Sequence, residues 1–178
     1  MVCAAIDFES SKERAAQSPA ELLTPIFART IPSYTWHARA QLDEDRRGTD
    51  FWAFRGPMLS PLSVDVKIRE VDPLEKWGKD DLAIEVWSAK ETRSLGWSLN
   101  DSKQTDLVLW VFPTGRYVMM PFGALVKVCQ ANIREWCGRY ERHAQTTAHL
   151  GRTYTSEHIF VPRRVLFDAL FGLYSGAG

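Results

Sequence analysis

Cysteine is scarce in this chain. Its 178 residues hold three, Cys3, Cys129 and Cys137, an odd number with no CxxC pair. Neither a disulfide frame nor a zinc knuckle is implied, and a reducing interior fits best. Long apolar runs are missing too. None approaches the roughly 20 residues that cross a bilayer, so no membrane partner is expected. The N-terminus has no basic stretch followed by an apolar core, which argues against a secretion signal and for a cytoplasmic protein. Lys and Arg number 22 and Asp and Glu number 22, so net charge is zero and attraction to a polyanion is not advertised. Gly48, Gly56, Gly96 and Gly115 stand alone. No phosphate-cradling loop or dinucleotide fingerprint forms, and no organic cofactor is expected. His37, His143, His149 and His158 are too dispersed for a local zinc pattern, and Ser88, Ser94 and Ser98 lack a nucleophile-elbow context.

What is present suffices for a core. The chain is 45% hydrophobic and 12% aromatic, with seven Trp that suit core and rim packing. Its length points to one domain over residues 1–178, with residues 1–10 loosely ordered. Charge is uneven along it. Residues 40–110 hold 14 acids and 10 bases, whereas residues 113–178 hold 4 acids and 8 bases. An acid-rich middle could hold a cation and a basic C-terminal third could face phosphates, although solvated surface accounts for both equally well.

Ser18-Pro19-Ala20-Glu21 reads as a helix start, with Leu22, Leu23, Ile26 and Phe27 as its apolar stripe. Ile31-Pro32 ends it, and residues 33–48 read as loop with at most a short strand or turn. Strand signals follow at 50–54, 64–69 and 82–87, and at the apolar run 106–112 with a partner at 116–120. A helix is expected from Phe122 to about Arg142, a short strand at His158–Val161, and a helix from Pro162 through Leu170. This order argues for an α/β or α+β domain with a mixed sheet flanked by helices.

The chemistry gathers at Gly48-Thr-Asp50 and, after fourteen residues, Asp65-Val66-Lys67. Asp65 and Lys67 are two apart on a strand and share a face, while Val64, Val66 and Ile68 take the other. A hairpin that brings Asp50 alongside yields two carboxylates and an amine at one point. Such a set suits Mg²⁺, a hard ion that prefers oxygen, and with it metal-assisted phosphodiester cleavage. Glu85, in Ile84-Glu85-Val86, could join as a third acid. Lys103 could contact substrate or pair with Asp106.

These residues resemble a known family. The pattern GTD-x14-DVK, followed by IEVWS, Gly96-Trp97 and Lys103-x-x-Asp106-LVLWVF, is similar to the PD-(D/E)xK, or restriction-endonuclease-like, nuclease superfamily, over about Ala20 to Leu125. The segment from Glu85 through Gly96-Trp97 to Asp106 is also similar to a branch of small phage and bacterial proteins of this superfamily. The resemblance implies an αβββαβ core around one or two Mg²⁺ ions, with Mn²⁺ able to substitute. It assigns Asp50 as the first acid, Asp65 as the second, Lys67 as the lysine and Glu21 as an additional helix acid. Thr49 stands where many members have Pro. A rival register takes IEVWS as the motif strand and puts Trp87 where the lysine belongs; DVK is preferred. Such a protein would be a hydrolase of DNA, with a homodimer compatible but no dimer surface legible. The alternative is an inactive nuclease-like domain that binds nucleic acid or a protein partner.

Overall fold

A computed structural model describes residues 6–7, 20–149 and 152–175. In chain order the elements begin with β1 (Ile6–Asp7), α1 (Ala20–Thr30), β2 (Tyr34–Arg39), α2 (Leu42–Arg46), β3 (Phe51–Arg55), β4 (Leu62–Ile68) and α3 (Pro73–Trp77). There follow β5 (Asp81–Ala89), β6 (Ser94–Leu95), a 3₁₀ turn (Trp97–Leu99), β7 (Leu107–Val111), β8 (Tyr117–Pro121), α4 (Phe122–Arg139), β9 (Arg142–His149), β10 (Arg152–Pro162) and α5 (Arg163–Ser175). The protein is mixed α/β, with two five-stranded sheets.

Where the sequence reads as one domain, the chain forms two compact units. The first holds the described residues of 16–72 and 102–123, the second those of 1–15, 73–101 and 124–178. Each is assembled from separate stretches. No linker-like composition marks the crossings because the chain passes between units within folded sequence.

The first unit has strand order β2-β3-β4-β7-β8. β4 and β7 run parallel and the other neighbours antiparallel, so the sheet is mixed. The period of two in β4 explains its burial. Val64 and Val66 turn to one face and join Leu23, Ile26 and Phe27 of α1 and Ile31 just past its end, with Ala53, Leu109 and Val111, in one apolar core. The apolar run of β7 is buried on both faces, as suits a strand with a neighbour on each side. Residues 33–48, read as mostly loop, contain both β2 and α2. β2 (YTWHAR) has no apolar alternation because it is an edge strand and stays half-exposed.

The second unit has order β1-β9-β10-β5-β6. Where one short strand is expected near His158–Val161, β9 and β10 form a long antiparallel hairpin. The polar, Thr-rich sequence of β9 gives no hydrophobic signal. Of the N-terminal residues read as loosely ordered, Ile6 and Asp7 pair with β9, and the other eight lie outside the described residues, as do Ser18 and Pro19 of the expected helix start. No helix among the described residues is long and apolar enough to cross a membrane.

Gly96 shows how closely the second unit packs. A Cβ there would sit 2.1 Å from the main-chain oxygen of Glu85, whereas one on Gly123 would meet nothing within 4 Å. Gly96→Ala must therefore displace backbone and is expected to cost about 3 kcal/mol in urea unfolding. Gly123→Ala, in the open first turn of α4, serves as the control and should be neutral to slightly stabilising. Equal midpoints for the two variants would contradict the close approach.

Candidate active site

Asp50 is set in place from two sides. Gly48 adopts φ +101°, the left-handed region that favours glycine, and a Cβ there would lie 2.9 Å from both Lys103 Cδ and Thr105 Oγ1. Buried Thr49 donates its hydroxyl to Gln104 O at 2.9 Å, and Gln104 N donates to Arg47 O at 2.9 Å. Thr105 Oγ1 donates to Gly48 O. The stretch ahead of β3 is thus stitched to the stretch ahead of β7. Asp50 then straddles β4: its N–H donates to Val64 O at 3.0 Å, and its Oδ2 accepts from Val66 N–H at 2.7 Å. The residue between those two partners is Asp65.

Asp65 is only 2% exposed. Its Oδ1 pairs with Lys67 Nζ at 2.6 Å, and the Lys67 side chain keeps 27% of its surface in solvent. Asp65 Oδ2 is buried with no hydrogen-bond partner. Burial, chiefly, and the adjoining Asp65 charge push the Asp50 carboxyl up to about 7, against the pull of Lys67 and the Val66 N–H. The two carboxyls also lie within hydrogen-bonding reach of each other. Two acids this close do not both ionise readily. A proton on Asp50 would give the Asp65 pair a donor, and a cation would satisfy both.

The structure therefore brings Asp50, Asp65 and Lys67 to one face of one sheet. Glu85 is not on a strand beside them. It lies on β5 in the second unit, where the strand neighbours are β10 and β6. There it has its own work: Oε2 accepts from Trp97 N–H at 2.9 Å, His158 Nε2 stands 3.7 Å from Oε1, and its main-chain oxygen accepts from Ser98 Oγ. The IEVWS register goes with it, because Trp87 also belongs to β5. Lys103 runs its aliphatic stem against Gly48. The Asp106 carboxylate is instead engaged by Ser63 N and Ser63 Oγ, each at 2.8 Å. Glu21 falls in the first turn of α1, and its side chain lies outside the described residues.

Sequence spacing gave no hint of the Val66 N–H on Asp50, because main-chain donors carry no residue signature. The apolar cavity of about 380 Å³ in this unit is lined by residues such as Ile31, Leu62, Leu107 and Met119, and none of the candidate site residues borders it. Among the described residues no three His, Cys, Asp or Glu side chains gather as a metal site. The chain matches no family model, and comparison with curated proteins and with solved structures gives no match.

Proposed function

We propose that the first unit is a metal-dependent nuclease of the PD-(D/E)xK type, with Asp50, Asp65 and Lys67 as its site. The observation that carries this reading is the juxtaposition of two buried carboxyls, Asp50 raised to about 7 and Asp65 with an Oδ2 that meets no N–H or O–H donor from the rest of the chain. Oxygen donors left unsatisfied in this way suit a hard divalent cation such as Mg²⁺ or Mn²⁺. Bound there, such an ion would polarise a scissile phosphate and lower the pKa of the attacking water. Asp50 and Asp65 would hold it, and Asp50 would first have to release its proton. Lys67, beside Asp65, would supply an ammonium to charge developing on the phosphoryl oxygens. The element order α1-β2-β3-β4, with β7 parallel to β4, supports an αβββαβ core. One departure is that the connection from β4 to β7 contains strands of the second unit as well as the short α3.

A second reading is favoured by the same site. Only two acids gather, one almost fully buried and already paired with Lys67. That composition also suits a nuclease-like unit that binds nucleic acid or a protein partner without cutting.

The two readings separate on purified protein with Mg²⁺ or Mn²⁺, offered duplex, single-stranded and branched DNA and RNA. Cleavage is expected, and Asp65→Asn should lower it by about 10²–10³-fold or more. Activity should rise with pH as Asp50 ionises, with a midpoint below the metal-free value because a bound cation favours the carboxylate. A protein that cuts no form in either metal leaves only the binding reading.

A further inference from the structure

The sheet face that holds the three site residues does not end at them. Asp50, Trp52 and Phe54 alternate with Phe51 and Ala53, of which Ala53 lies in the core and Phe51 packs against it. Trp52 and Phe54 therefore share the Asp50 face. Their register partners on β2 are Ala38 and Trp36. Trp36 and Phe54 stack with ring centroids 4.0 Å apart and planes 4° from parallel. β2 is the outermost strand of this sheet. With Phe54 against one side of its ring, Trp36 is still 54% exposed, so the ring face turned off the sheet edge is open. At about 3.4 Å per residue, Trp52 stands about 7 Å and Phe54 about 14 Å along the strand from Asp50.

A cross-strand aromatic pair can simply stabilise a hairpin. That role accounts for Phe54, which is partly buried, and leaves the open face of Trp36 unexplained. One flat, exposed ring continued by two half-buried ones at this spacing from a phosphate-directed site matches unstacked bases, because every base has a π-face. In a duplex the bases are already stacked on one another and are not free to lie on a ring.

We infer that Trp36, backed by Phe54 and continued by Trp52, is a base-stacking platform, and that the substrate is single-stranded or locally unpaired nucleic acid. The inference rests on the nuclease reading for the direction of the strand, from Trp36 toward Asp50 and Asp65. The platform itself can be tested without cleavage.

Anisotropy of labelled dT and rU oligomers and of a blunt duplex, in EDTA, reads binding alone. Single strands are expected to bind more tightly than duplex. Trp36→Leu should weaken them roughly tenfold and leave duplex binding unchanged, while Trp36→Phe stays close to the parent. The dT and rU arms distinguish DNA from RNA. If Trp36→Leu does not fold, an oligomer carrying 2-aminopurine reports stacking on the parent protein, and unquenched fluorescence at saturation overturns the platform. So does Trp36→Leu binding single strands as tightly as the parent, or no oligomer binding at all. A platform confirmed in EDTA with no cleavage in Mg²⁺ or Mn²⁺ leaves this inference standing and removes the nuclease reading. Cleavage that depends on Asp65 but is indifferent to Trp36 does the reverse.

Discussion

Asp50→Asn is expected to make the protein more stable at pH 8 and inactive as a nuclease. The Asp50 carboxyl ordinarily titrates near 3.8 and is pushed up to about 7 in the folded chain. Between those values the folded state keeps a proton that the unfolded state has released. Stability therefore falls as pH rises from about 4 to about 7, and the loss is complete above that. Three pKa units correspond to a ceiling on the order of 4 kcal/mol. Asparagine cannot ionise, its oxygen can still accept from Val66 N–H, and its amide can donate toward Asp65. A gain of about 2 kcal/mol at pH 8 is a reasonable share of that ceiling. In a chain of this size it corresponds to a melting temperature higher by about 5 °C. At pH 4 parent and variant should melt together. A gain that is equal at both pH values would remove the raised carboxyl as its cause. Loss of cleavage alongside the gain would mark a site that stores instability for function.

Lys67→Met should do the opposite. Lys67 Nζ lies 2.6 Å from Asp65 Oδ1, and the Asp65 side chain is 3% exposed. Removing the ammonium leaves a buried carboxylate beside a second acid, a change that costs about 3–5 kcal/mol when the charge stays uncompensated. Protonation of Asp50, whose carboxyl is raised to about 7, relieves part of this at lower pH. The cost should therefore be largest at pH 8 and smaller at pH 5, measured by urea unfolding at both. The double variant Asp65→Asn, Lys67→Met should recover most of the stability and none of the cleavage. If Lys67→Met is neutral at pH 8, the pair does not hold Asp65 in place. If cleavage survives, Lys67 has no part in the chemistry.

Much of the first unit can be read in the sequence. Period-two alternation in LSVDVKI marks β4, and the stripe of Leu23, Ile26 and Phe27 marks α1, because both elements bury one face in a common core. The Asp50–Asp65 approach also follows from local spacing, since a hairpin joins β3 to β4. What could not be read is which sheet each strand enters. β5 follows β4 in the chain and carries a carboxylate among apolar residues, as a third site strand would. Its pairing with β10 is decided by contacts seventy or more residues away, which leave no local trace. β9 and β2 are hidden for another reason. Their residues are polar or half-exposed, so hydrogen bonding holds them in place more than burial does.

The division of the first unit into two stretches bears on how the protein is made. β4 has its parallel partner β7 only after the 73–101 excursion has been synthesised, and β8 closes the sheet at Pro121. During translation Asp65 and Lys67 leave the ribosome well before the strand that buries their neighbours. Until then β4 presents an unpaired, apolar edge, the kind that pairs with the wrong chain. A ribosome stalled near residue 100 would hold a complete set of site residues on an unfinished sheet. Nascent chains of that length should be the ones most in need of a chaperone.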